Sequence, residues 1–163
     1  TITAFGIADA GVTLAKMDRD LEVFLIDSAG LREVAGFRFH RGCLALGERS
    51  SATTPSCLVP DACRPIVALE ALSDPDNVGS IFRSAAAFGA KGVLLSPTCT
   101  DPLYRKAIRT SMGATLQLPF LIDSEWPMGL TTIRERGATL VGLSPDSPAI
   151  DLESFVCYAC IHN

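Results

Sequence analysis

From Cys63 onward, short apolar runs alternate with stretches whose apolar residues recur every three or four positions. Ile66 to Leu72, interrupted only by Glu70, has the length and composition of a strand buried on both faces. Ser73-Asp74-Pro75-Asp76 breaks that run and predicts a loop. Val78, Ile81, Phe82, Ala85 and Phe88 then form one apolar stripe, which predicts a helix from about Val78 to Phe88, capped by Asp76 or Asn77 and stopped by Gly89. A strand is expected at Gly92 to Ser96, and a helix from Asp101 or Pro102 through Arg109 or Thr110. A strand at Gln117 to Leu121, a helix at Trp126 to Arg136 and a strand at Ala138 to Leu143 complete the series. This alternation predicts an α/β fold, a parallel sheet with helices on both faces, and no internal repeat is present.

The first third reads differently. Residues 1 to 20 suggest a loop and a short helix with Leu14 and Met17 inward. Leu21 to Ile26 is a strand pattern, Ser28 to Val34 a short helix or turn that stops near Gly36, and Gly36 to Leu46 a glycine-punctuated stretch that ends in a strand. Residues 49 to 63 are rich in Ser, Thr, Pro and Ala, a linker composition. The expected organisation is therefore a partial domain at 1–48, a linker at 49–63 and an α/β domain at 64–163.

Composition narrows the class of function. Apolar residues make up 48% of the chain, ample for a core, yet no run approaches membrane-spanning length and no signal-peptide pattern is present. The six cysteines follow no disulfide framework, which points to reduced thiols and a cytoplasmic setting. Cys157 and Cys160 with His162 supply too few ligands for a structural zinc site, so no metal is expected. A net charge of −4 argues against a nucleic-acid partner for the chain as a whole. Locally the balance reverses: Arg32, Arg38, His40, Arg41 and Arg49 cluster in one stretch, and Arg105, Lys106 and Arg109 in another, with Lys106 and Arg109 close on one helix face. Read without context, these are equally well a solvated face. Phosphate-binding glycine loops are absent.

The string Asn77-Val-Gly-Ser-Ile-Phe-Arg83-Ser-Ala-Ala-Ala-Phe-Gly-Ala resembles the first motif of the SpoU (TrmH-like) RNA 2′-O-ribose methyltransferases. Arg105-Lys-Ala-Ile-Arg109-Thr-Ser111-Met-Gly113-Ala-Thr-Leu-Gln-Leu-Pro119 is similar to the segment that follows it, in the same order and at the same spacing. The resemblance covers roughly residues 36 to 145. It implies a SPOUT-type methyltransferase domain that uses S-adenosylmethionine, acts on RNA (rRNA rather than tRNA) and forms a homodimer when complete. Residues 36–46 resemble the end of a small N-terminal RNA-binding domain of the ribosomal-protein type found in some members, which is the ground for preferring rRNA and for including Arg41 among the RNA-binding residues.

Methyl transfer to a ribose 2′-hydroxyl demands stabilisation of a developing alkoxide, because the hydroxyl is almost wholly protonated at neutral pH. By resemblance Arg83 has this role. An arginine is a poor general base, so electrostatic stabilisation is expected, with a substrate phosphate as the alternative proton acceptor. Without the resemblance, Arg83 equally fits a phosphate contact or a salt bridge to Asp74 or Asp76. Asn77 could orient Arg83 or the ribose, or simply cap the helix, and Gly79 could let backbone approach a ligand. Arg105, Lys106, Arg109 and Ser111 are expected near the RNA path or cofactor edge, or else at an exposed helix end. Leu143, Ser144 and Pro145 are expected where the adenosyl pocket begins.

Two later motifs of the family, a Gly-x-Glu-Gly loop and a Ser-Leu-Asn segment that passes through a deep knot, do not occur in the chain. They line the cofactor pocket and build the dimer interface. A fragment of a longer protein or a late loss of reading frame is the expectation, with weak cofactor binding and no turnover by the chain as written. The alternative function is a non-catalytic RNA-binding module.

Overall fold

Gly92-Val-Leu-Leu forms the central strand because nothing in it needs water: all four residues are buried. The computed structural model describes residues 2–6, 22–36, 43–47, 58, 60, 64–143, 149–151 and 153–155. It contains two compact units, Thr1–Ala52 and Thr53–Asn163.

In the first unit β1 (Ile2–Gly6) lies between β2 (Glu22–Leu25), to which it is parallel, and β3 (Cys43–Gly47), to which it is antiparallel. The expected loop and short helix of residues 1–20 is thus corrected at its start, where Ile2–Gly6 is a central strand. Five residues carry little periodic signal by themselves, and two flanking ladders supply the hydrogen bonds that hold them extended. Leu14 and Met17 lie outside the described residues. Helix α1 (Ser28–Ala35) follows as expected, with Asp27 as its N-cap, whose carboxylate accepts from the Gly30 amide, and Gly36 at its end.

In the second unit β4 (Ile66–Leu69), β5 (Gly92–Leu95) and β6 (Phe120–Ile122) form a parallel sheet in that order. Alternate residues of β5 divide the core. Val93 and Leu95 face α2 (Pro75–Ala87) and α3 (Arg105–Thr110), in a cluster with Leu69, Val78, Phe82, Ala107 and Leu118. Leu94 faces α4 (Met128–Glu135) and packs with Leu58 and Ile133. Helices therefore cover both faces, the predicted architecture. Leu58 comes from the stretch with linker composition, yet it is only 2% exposed.

Boundaries moved where turns and pairing overrode pattern. β4 ends at Leu69 and is not buried on both faces: Ala68 is exposed, β4 pairs only with β5 among the described residues, and Ala71 takes a left-handed backbone. Asp101–Tyr104 is a turn in which the Asp101 carboxylate accepts from the Leu103 amide, so α3 starts at Arg105. A 3-10 helix at Ala114–Leu116 postpones the third strand to Phe120. α4 starts at Met128 after a cis Trp126–Pro127 bond, and the Asp123 carboxylate accepts from the Gly129 amide in its first turn. Residues 138–143 join no ladder, contrary to the expected strand, and Leu140, Val141 and Leu143 are exposed. Strand composition is not enough without an edge strand in hydrogen-bonding register. Residues 153–155 form a helical turn, and 156–163, including Cys157, Cys160 and His162, lie outside the described residues.

Candidate functional site

The carboxyl ends of β4 and β5 are joined by a dense hydrogen-bond network. The Ser96 amide donates to Leu69 O at 2.9 Å, and the Thr100 amide to Leu72 O at 2.9 Å. The Ser96 hydroxyl accepts from the Ala71 amide at 3.0 Å, and the Thr100 hydroxyl donates to Ser73 O. The Cys99 thiol donates to Leu69 O at 3.3 Å. On the far side, the Trp126 indole donates to Glu70 at 3.0 Å. Loop 70–74, which leads into α2, is thereby pinned. Ala71 sits at φ 51, a conformation that costs an alanine about 1 kcal/mol. Ser96→Ala removes the partner of its amide. Ser96 is 2% exposed, so the expected loss is about 1–3 kcal/mol in urea unfolding, with an unchanged m-value.

Helix α2 starts three residues earlier than its apolar stripe predicts. Asp74 is the N-cap, accepting from the Asp76 amide at 2.9 Å, and Pro75 occupies the first helical position. Proline suits that position, since its ring presets φ and its missing amide hydrogen would have had no partner there. Neither Asp76 nor Asn77 is the cap. Asn77 is exposed, its side chain unbonded among the described residues, while its carbonyl accepts from the Ser80 hydroxyl. Arg83 is exposed as well, and its guanidinium makes no hydrogen bond or ion pair among the described residues. The alternative salt bridge to Asp74 or Asp76 does not form, because Asp74 is occupied as a cap and Asp76 by Lys106. Helical geometry separates positions 77 and 83 by about 9 Å along the axis and about 120° around it, and no hydrogen bond joins the two side chains.

Gly79 is buried and lies where α2 meets α3. A Cβ there would sit 2.6 Å from Ala107 O and 3.0 Å from the Ser111 amide nitrogen. Close approach is therefore required, but by a neighbouring helix rather than by a ligand. Gly79→Ala normally gains up to about 1 kcal/mol within a helix. Backbone atoms cannot yield as a flexible side chain does, so overpacking of about 1–3 kcal/mol prevails. A lower unfolding midpoint is expected.

Beside this contact, Lys106 Nζ lies 2.8 Å from Asp76, and the Thr110 hydroxyl donates to the same carboxylate at 2.9 Å. The hydrogen bond from Lys106, then that from Thr110, holds the Asp76 carboxyl below its usual range, and Asp76 in turn raises Lys106. The sign follows: the Asp76 contribution is present above about pH 4 and fades as pH falls through the lowered value, while that of Lys106 is present below about pH 10 and fades on further rise. The pair is intact across the neutral range.

Among the expected RNA-binding residues, Arg105 and Arg109 are exposed and stand four residues apart on α3, whereas Lys106 is turned to Asp76. Ser111 is placed inward, 1% exposed, its hydroxyl donating to Ile108 O and accepting from the Thr115 amide. Arg41, Ser144 and Pro145 lie outside the described residues. Leu143 is 90% exposed, so its side chain is not enclosed by the described residues. An apolar groove of about 410 Å³, lined by Pro65, Val67, Ile81, Ala85 and Phe88, opens beside Pro65 at the amino end of β4, away from the loops. Among the described residues no cluster of metal ligands forms, and no helix is long and apolar enough to cross a membrane. Sequence reading missed the joint role of Asp76 with Thr110 and the Ser96–Cys99–Thr100 network; both depend on partners 25 to 34 residues away, without a local signature.

Known proteins are similar to this chain in sequence and fold. The profile of the SpoU rRNA Methylase family matches residues 64–159. The match starts after residue 36 and runs past 145, the bounds expected from the resemblance. A tRNA/rRNA methyltransferase of Mycobacterium bovis, itself uncharacterised, is 38% identical over 122 residues, which are 75% of this chain and 42% of that protein. The chain thus spans less than half the length of this curated relative. The SpoU methyltransferase AviRb from Streptomyces viridochromogenes, in complex with AdoMet, superimposes with a TM-score of 0.67 at 21% identity, over 82% of this chain and 51% of that one. An RNA 2′-O ribose methyltransferase does so with a TM-score of 0.65 at 24% identity, over 90% and 57%. Identities this low establish the fold alone. The profile match over more than half of the residues goes further: the chain belongs to the SpoU rRNA methylase family.

Proposed function

We propose that this chain forms the acceptor-side half of an S-adenosylmethionine-dependent methyltransferase acting on a ribose 2′-hydroxyl of RNA. The observation that carries this reading is Arg83: an exposed guanidinium without a carboxylate partner among the described residues, on the helix that follows the pinned loop. A guanidinium in that state is free to meet an oxygen on which negative charge develops. It remains protonated throughout, so the hydroxyl proton passes to water or a phosphate oxygen of the substrate rather than to Arg83. Arg105 and Arg109 on α3 would hold the RNA backbone, and Asn77 would orient the ribose. S-adenosylmethionine supplies the activated methyl group. Support for it is the family and the AdoMet complex of a structural neighbour.

The same reading includes an rRNA substrate, a cytoplasmic setting, a homodimeric complete form, and an organisation with an RNA-binding unit before residue 49. The rRNA preference and the RNA-binding unit rest on the resemblance of residues 36–46, with the relative's printed tRNA/rRNA name as coarser support; the cytoplasmic setting rests on the cysteines without a disulfide framework, and the homodimer on the family resemblance.

The test is transfer from S-adenosylmethionine labelled in its methyl group to rRNA, using the longest form of the protein that carries this chain. Alkali cleaves RNA through the free 2′-hydroxyl, so label in alkali-resistant dinucleotides is expected. Label recovered only on bases would overturn the ribose assignment.

A further inference from the structure

Three observations meet at one carboxylate. Asp76, in the first turn of α2, receives both Lys106 and Thr110, residues four apart on α3. Directly behind, Gly79 lets the α3 backbone approach so closely that a methyl group would collide. Arg109 lies near enough to act on Asp76 by charge, and Asp74 and Tyr104 act in the same way on Lys106. Both side chains of the ion pair are about half exposed, 55% for Lys106 and 46% for Asp76. Pairs in such surroundings are screened and add little to stability. What two bonds from one carboxylate to adjacent turns of a helix do supply is orientation: they set both the rotation and the axial position of α3 against α2.

We infer that Asp76 is a positioning residue, whose carboxylate holds α3 in register with the first turn of α2 and keeps Lys106 off the RNA. The inference rests on the proposed RNA methyl transfer. In this arrangement the basic segment is divided by function. Lys106 is engaged by Asp76, and Arg105 and Arg109 remain at the surface of a helix whose orientation toward Asn77 and Arg83 is set by Asp76. Removing the carboxylate has two opposite consequences. It releases one cation to bind phosphate, and it loosens the geometry on which turnover depends.

The experiment compares wild type, Asp76→Asn and Lys106→Gln in the longest form of the protein carrying this chain. RNA affinity is read by anisotropy of a labelled rRNA fragment from about 50 to 200 mM salt, and kcat and KM by methyl transfer. Asn keeps an oxygen for Thr110 but no charge. Asp76→Asn is expected to tighten RNA binding several-fold and steepen the salt dependence by about one phosphate contact, while kcat falls about tenfold or more. Lys106→Gln is expected to lower kcat similarly with an unchanged salt dependence. A shallower slope in Lys106→Gln would show that Lys106 binds RNA directly, and would overturn the inference. So would an Asp76→Asn slope equal to wild type, or a kcat that falls only with the folded fraction measured by circular dichroism. Wild type that neither binds RNA nor transfers methyl groups overturns the proposed function, and this inference with it. Wild-type activity with unaltered variants overturns this inference alone.

Discussion

Arg83→Ala is expected to lower kcat for the proposed ribose methylation by about two to three orders of magnitude, the loss typical of one donor removed from a developing oxyanion. Affinity for S-adenosylmethionine is expected to stay within a few-fold of wild type, because the proposed role places the guanidinium at the acceptor. Arg83→Lys restores only part of the rate: it keeps the charge but not the planar fork that can serve oxygen and phosphate together. Single-turnover measurements at saturating RNA read this directly. The contrasting outcome is a raised KM with kcat preserved and a salt slope reduced by about one, which would make Arg83 a phosphate contact rather than a catalytic residue. The first outcome is expected on one ground. Asp74 and Asp76, the carboxylates nearest in sequence, are occupied by the cap and by Lys106, so neither neutralises the guanidinium.

The largest effect on stability is expected one residue earlier. Phe82 is fully buried and meets Phe120 edge-on, with ring centroids 5.8 Å apart and planes at 80°. It bridges α2 to the strand layer within the cluster of Val78, Val93, Leu95 and Ala107. Phe82→Ala leaves a cavity that the sheet cannot close, and about 3–5 kcal/mol is expected to be lost. Such a loss is a third or more of the total stability of many domains. Urea unfolding should show a large fall in midpoint with the m-value retained; a loss below about 1 kcal/mol would mean that α2 settles into the void. The two substitutions separate cleanly although their positions adjoin. Arg83→Ala should unfold like wild type and fail in turnover. Phe82→Ala should lose activity mainly through its unfolded fraction, recovering at lower temperature or with bound ligand.

Much of this division is visible in the chain itself. Phe82 falls on the stripe Val78, Ile81, Phe82, Ala85, Phe88, and Arg83 falls off it, so a helical period alone sends one inward and the other to solvent. Gly92 to Leu95 reads as a buried strand for an equally local reason, an unbroken apolar run between breakers. Ser111 shows the opposite case. It was expected at the RNA path or cofactor edge, yet its hydroxyl is spent on Ile108 and Thr115 inside the fold. Nothing in a serine near a helix end declares which way it turns. Gly79 is another such case, because a glycine suits a ligand and a crossing helix equally well, and only the position of Ala107 chooses between them.

What the amino-acid sequence determined alone is the alternating α/β order, the inward and outward faces of α2, and the family, because each is written in residues that are neighbours along the chain. Tertiary structure alone decided that Ile2–Gly6 is a central strand, that Ala138–Leu143 joins no ladder, and that Asp76 takes Lys106 and Thr110 rather than Arg83. The physical reason is the same in each case. A strand needs a ladder partner and a carboxylate needs a donor, and here those partners are brought together across the fold, as with Thr110 and Asp76, 34 residues apart.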